Sequence, residues 1–126
     1  MPRSLLIIAA FLLSSFSLAS VASASGSINV KNCTQEKQTI CVYNGGDSVR
    51  SAAKHRRTLI PGKEWKVRCK GNGLKRCKIH IVKEAGNACP VDKPKVTRIP
   101  FKHWAHVVQN GSKRSVVKQR SSSCPN

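Results

Sequence analysis

The densest chemistry in the chain lies between Trp65 and Ile81, where basic and apolar residues alternate: Trp65-Lys66-Val67-Arg68-Cys69-Lys70, then Gly71-Asn72-Gly73-Leu74, then Lys75-Arg76-Cys77-Lys78-Ile79-His80-Ile81. Successive side chains of a strand point to opposite faces, so Trp65, Val67 and Cys69 share one face and Lys66, Arg68 and Lys70 the other. The same alternation turns Cys77, Ile79 and Ile81 inward. If Gly71-Asn72-Gly73 turns the chain so that Cys69 faces Cys77, the result is a hairpin that pairs Val67 with Ile79 and Trp65 with Ile81. Its outer face then sets Arg68 beside Lys78, Lys66 beside His80 and Lys70 beside Arg76. Like charges directly opposite one another destabilise a bare sheet, so such a face reads as the seat of an anion.

The segment Leu74-Lys75-Arg76-Cys77-Lys78-Ile79 also has the x-B-B-x-B-x pattern, with B basic, seen in many heparin-binding proteins. Lys54-His55-Arg56-Arg57 forms a second basic cluster. The candidate polyanion-binding residues are therefore Lys66, Arg68, Lys70, Lys75, Arg76 and Lys78, with Arg56 and Arg57 as a second patch. The competing structural explanation is that lysines on a strand discourage edge-to-edge aggregation. Of the two tryptophans, Trp65 falls on the apolar face. Trp104, close to Lys102 and His103, is placed to stack on a base or sugar or to meet a lipid interface.

Four histidines, His55, His80, His103 and His106, open an enzymatic alternative. In a ribonuclease-like site two histidines exchange general acid and base roles while a lysine stabilises the charge on phosphorus; His80 would work with His103 or His106. No nucleophile elbow and no phosphate-binding glycine loop is present. The histidines lack zinc-finger spacing and no Cys-x-x-Cys pair occurs, so neither a metal nor another cofactor is expected.

The six cysteines, Cys33, Cys41, Cys69, Cys77, Cys89 and Cys124, form an even set in a short chain, which implies three bridges made in an oxidising compartment. The bridges matter because the chain is poor in apolar residues. After position 24 it holds nineteen Ile, Leu or Val against twenty-two Lys or Arg, close to the limit at which burial offsets ordering entropy.

Seventeen of those nineteen aliphatics are Ile or Val, stiff side chains that suit a pleated surface. Strands are predicted at 27–31, 39–43, 65–70, 78–82, 96–101, 103–109 and 112–118. Residues 48–57 fit a short helix, a strand or a loop equally well. Residues 86–94 read as a loop joining two halves, and Asn110-Gly111 as a type I′ hairpin turn. Two glycosylation sequons, Asn32-Cys33-Thr34 and Asn110-Gly111-Ser112, are present.

The N-terminus carries Arg3, an uncharged apolar run over 5–21, and Ala22-Ser23-Ala24. That is the plan of a secretion signal, removed after Ala24 because signal peptidase accepts only small side chains there. The division is then 1–24 signal peptide and 25–126 one secreted or periplasmic basic domain, with no transmembrane segment after cleavage. Its net charge is +17, Arg3 having been removed with the signal. Magnitudes of ~2–8 suffice for solubility, and the excess points to a polyanionic partner.

Ile28-Asn29-Val30-Lys31-Asn32-Cys33, Gly45-Gly46 and Leu59-Ile60-Pro61-Gly62-Lys63-Glu64-Trp65 resemble the first strands of thaumatin-type β-sandwiches. The likeness covers some forty residues, without most of that family's cysteines or its acidic cleft residues, and implies a sandwich alone. The expectation is an all-β domain, a small disulfide-linked sandwich or barrel of six or seven antiparallel strands. Its expected role is non-catalytic binding of an anionic surface or polymer: envelope lipid or lipopolysaccharide, acidic glycan or nucleic acid, with antimicrobial or host-interacting consequences. Docking on an acidic protein, as an inhibitor or toxin, is the third possibility.

Overall fold

The computed structural model describes residues 24–46, 52–91 and 95–125. Residues 1–23 of the predicted signal lie outside them. The described chain is all β, with eight strands in two four-stranded sheets. The strands are β1 (Ser25–Asn32), β2 (Gln38–Asn44), β3 (His55–Leu59), β4 (Glu64–Lys70), β5 (Arg76–Ile81), β6 (Thr97–Pro100), β7 (Trp104–Asn110) and β8 (Lys113–Gln119). One sheet has the order β4-β1-β7-β8 and the other β3-β2-β5-β6. Every pairing is antiparallel except β1 with β7.

The core lies between the sheets. Ile28, Val30, Val67, Ala105 and Val107 from the first meet Ile40, Val42, Leu59, Ile79 and Ile99 from the second. Trp65 and Phe101 pack at its margin. Strand β2 is buried along nearly its whole length, because the loop after β5 crosses the outer face of its sheet. That loop is pinned by the Cys41–Cys89 bridge and by the Tyr43 hydroxyl, which donates to the Pro90 carbonyl at 2.7 Å. Cys41, Tyr43 and Val82 form a second small cluster beneath it.

All six cysteines are paired: Cys33–Cys124, Cys41–Cys89 and Cys69–Cys77. The pairing of Cys69 with Cys77 agrees with the sequence reading, but the hairpin built around it does not form. β4 pairs with β1, and β5 pairs with β2 and β6, so the bridge joins the two sheets across the core. For β4 the observed partner is electrostatically the better one, although Lys78 of β5 still stands opposite Arg98 of β6. The hairpin would oppose Lys66, Arg68 and Lys70 to three further bases, whereas in the observed register their cross-strand neighbours are Asn29, Ser27 and Ser25. The change of sheet is made at Gly71, where a Cβ would come within 1.8 Å of the Leu74 carbonyl oxygen, and through Asn72 and Gly73 at φ 51° and 88°.

Two local expectations are likewise revised. Of the stretch 48–57 that fitted helix, strand or loop, residues 48–51 lie outside the described residues and 55–57 open edge strand β3, which runs to Leu59. The β7–β8 hairpin is present, but Asn110 belongs to its last pair with Lys113, and the turn is Gly111-Ser112. Only Gly111 has positive φ, at 63°, which is the II′ rather than the I′ pattern.

Candidate functional site

β4 is an edge strand whose outward residues alternate with core residues, and this places Lys66, Arg68 and Lys70 in one exposed row. Alternate residues on a strand stand ~6.6 Å apart. Beside this row β1 turns out Ser25, Ser27 and Asn29, side chains too short to cover their long cationic neighbours.

Two clefts open along the row. One, of about 410 Å³, is lined by Ser25, Asn44, Lys54, His55, Arg68, Cys69 and Lys70. The other, of about 280 Å³, is lined by Ser25, Gly26, Ser27, Lys66, Arg68, Phe101 and Lys102. Ser25 and Arg68 line both, and among the described residues neither has an acid in its lining. Glu64 lies farther along β4, where it pairs with Lys31 at 3.5 Å. The start of β3 brings in Lys54 and His55, and Lys102 arrives from the β6–β7 turn.

The other sequence candidates are placed elsewhere. Lys75 is exposed in the β4–β5 connection. Arg76 donates through Nε to the Gly45 carbonyl at 3.2 Å. Lys78 is only 8% exposed, and its ammonium donates to the Gly46 carbonyl at 2.7 Å. The heparin-like run 74–79 therefore contributes two of its three bases to holding the 45–46 backbone. Arg56 and Arg57, adjacent on a strand, point to opposite faces and form no common patch; Arg56 donates to the carbonyls of Gly86 and Asn87 in the crossing loop. Lys102 lies beyond any strand alternation, so only the fold could add it to the site. Lys54 and His55 were visible as part of a basic cluster, but nothing in their own sequence separation points to β4.

The histidine pairings needed for catalysis are not brought together. His80 faces outward from the β3-β2-β5-β6 sheet, with Nδ1 2.9 Å from the Lys95 carbonyl oxygen. His106 faces outward from the other sheet, in line with Lys31 and Val117. His103 lies in the turn after Pro100, which pairs with Arg76 at the start of β5, whereas His80 stands four residues on, roughly 13 Å from Arg76 along that strand. Among the described residues no group of His, Cys, Asp and Glu is arranged to hold a metal, and no helix is long and apolar enough to cross a membrane.

His106 is fully buried and packs edge-on against Trp104, with ring centroids 6.0 Å apart. The C-terminal segment lies over this part of the sheet, tied by Cys33–Cys124 and by the Lys31 ammonium, which donates to the Ser122 carbonyl at 2.7 Å. Burial, followed by the charge of Lys31, holds the His106 pKa below the ordinary histidine value; the Ser121 backbone and Glu64 act in the opposite direction. The direction fits the packing, because neither ring nitrogen meets hydrogen-bond geometry with any partner among the described residues. Of the two sequons, Asn32 is buried with its amide donating to the Glu36 and Leu59 carbonyls, whereas Asn110 is exposed at a hairpin tip.

No family model, curated protein or solved structure matches the chain. The partial likeness to thaumatin-type sandwiches therefore adds nothing about function to the two-sheet architecture.

Proposed function

We propose that the secreted domain binds linear polyanions along the outer edge of β4. The observation that carries this reading is the position of Arg68 between two clefts lined by six bases, Lys54, His55, Lys66, Arg68, Lys70 and Lys102, and by no acid among the described residues. A row of lysines on an edge strand is also a defence against aggregation. That role does not account for bases from β3 and from the β6–β7 turn converging on the same short-side-chained trough. The three disulfides fit a chain that matures in an oxidising compartment, outside the reducing cytosol.

Binding of this kind is driven by counterion release and weakens steeply with salt. Replacing Lys66 and Arg68 together with glutamate is expected to bring elution from heparin to markedly lower salt. On single-stranded DNA the same change should flatten the plot of log K against log salt by roughly 1.4, at about 0.7 per lost phosphate contact. Lys113→Glu together with Lys118→Glu, both exposed on β8 at the opposite edge of the sheet, is the control of equal net charge. If the double variant and the control behave alike, charge is spread over the whole surface and β4 is not a site. Parallel titrations with a sulfated glycan, single-stranded DNA and anionic vesicles identify which polymer or surface is preferred.

A further inference from the structure

The first residue of β1, Ser25, lies where the two clefts meet. Immediately before it, the Ala24 carbonyl accepts the N–H of Gly71 at 3.0 Å. Gly71 is buried, and its turn leaves no room for a side chain, so the direction of this donor is fixed by the fold. Ala24 is also the residue after which the signal segment is expected to be cut.

Hydrolysis of the Ala24–Ser25 bond adds the elements of water: hydroxyl goes to the Ala24 carbonyl carbon, which departs as a carboxylate, and hydrogen goes to the Ser25 nitrogen, which becomes an ammonium. Two things then change at one place. The Gly71 N–H loses its acceptor, and a neutral amide nitrogen becomes a cation next to Lys70, with which Ser25 is paired.

We propose that removal of the segment ending at Ala24 completes an anion subsite, in which the Ser25 α-ammonium and the Gly71 N–H together hold one sulfate or phosphate group at the junction of the two clefts. An oxygen of that group takes over the Gly71 N–H from the Ala24 carbonyl oxygen, displaced outward to hydrogen-bond distance from the Ser25 nitrogen. Arg68 and Lys70 flank it. This inference rests on the polyanion reading above and adds to it: processing makes the site rather than merely releasing the protein.

The α-amine supplies a signature that no other base of the cleft shares. Its ordinary pKa is about 7.7–8.0, against about 10.4 for lysine, so its contribution should vanish between pH 7 and 9.5 while the lysines stay charged. The test compares the 25–126 chain with two Nα-acetylated chains made by ligation at Cys33, one of 24–126, which keeps the Ala24 carbonyl and carries no α-amine, and one of 25–126. All three contain every described strand, and each is checked for three disulfides and for the same circular dichroism. The probes are a heparin hexasaccharide for sulfate and a short single-stranded oligodeoxynucleotide for phosphate.

At pH 7 the free-amine 25–126 chain is expected to bind about five- to tenfold more tightly than either blocked form. That advantage should disappear by pH 9.5, with the blocked forms nearly flat over the same range. Preference for one probe tells sulfate from phosphate. Equal affinities of free and blocked forms at pH 7 overturn the subsite and leave the polyanion reading standing, whereas absence of binding by all forms overturns both. An N-terminus other than Ser25 on the exported protein also overturns it.

Discussion

Lys78 shows how far the environment of a residue can depart from its sequence pattern. It stands in a heparin-like run and on the outward phase of its strand, yet it is enclosed with its ammonium on the Gly46 carbonyl. A charged hydrogen bond of this kind contributes about 1.5–3 kcal/mol. Lys78→Met is therefore expected to lower the urea midpoint by a stability loss of that size while leaving heparin elution within the effect of one distributed charge. Arg68→Met should do the reverse.

His106 belongs to the same scale. Its pKa is depressed in the folded state, so the unfolded chain takes up a proton more readily. Stability contributed by keeping it neutral is fully present above about pH 6.5, the unfolded value, and is lost as pH falls below it. Thermal unfolding at pH 7.5 and 5.0 should show a larger drop for the wild type than for His106→Leu. Equal drops would mean that the acid sensitivity arises elsewhere. The groups facing this histidine are Lys31 from β1, Glu64 from β4, Trp104 on its own strand and the Ser121 backbone.

Among the elements, the decisive event is the parting of β4 from β5. Each strand keeps its apolar phase, so Val67, Cys69, Cys77 and Ile79 all reach the core as alternation requires. What alternation does not specify is the partner. β1, with Ser25, Ser27 and Asn29 facing out, is a better neighbour for three cations than another basic strand, and the exchange turns the Cys69–Cys77 bridge from a hairpin staple into a tie between layers. The bridges differ in the loops that they close. Cys69–Cys77 spans 8 residues and Cys33–Cys124 spans 91. On chain entropy alone the first contributes about 2.5 kcal/mol and the second about 4.6 kcal/mol. Urea unfolding of Cys69→Ala/Cys77→Ala and of Cys33→Ala/Cys124→Ala is expected to rank them in that order. The opposite ranking would show that Cys69–Cys77 acts mainly through core packing. Loss of Cys33–Cys124 should also uncover His106 and reduce the difference between its unfolding at pH 7.5 and 5.0.

At the scale of the molecule, few apolar residues and a large positive charge must be reconciled with a stable sandwich. The answer has three parts: two thin sheets whose inner faces are mostly Ile and Val, a crossing loop that buries the outer face of β2, and three covalent ties. Reduction of all three bridges removes a contribution comparable with the entire stability of a small domain, ~5–15 kcal/mol. The reduced chain at pH 7 and 25 °C should lose its dispersed amide NMR spectrum. Retention of that spectrum with six free thiols would mean that the two cores suffice by themselves.

The sequence by itself determined the strand content, most strand positions, that all six cysteines are bridged, the inward phase of Trp65 and the row Lys66, Arg68, Lys70. These follow from local rules: β-branched composition, a period of two, and an even cysteine count. Only the tertiary structure decided that β4 and β5 lie in different sheets, that β3 is a strand, that Arg76, Lys78 and Arg56 hold backbone carbonyls, and that Lys54, His55 and Lys102 join Arg68. The period of two says which way a side chain points from its own strand and nothing about which strand lies next to it. That choice is made by competition among all possible pairings, in which repulsion between basic faces and the closing of two sheets over one core outweigh the nearness of β4 and β5 along the chain.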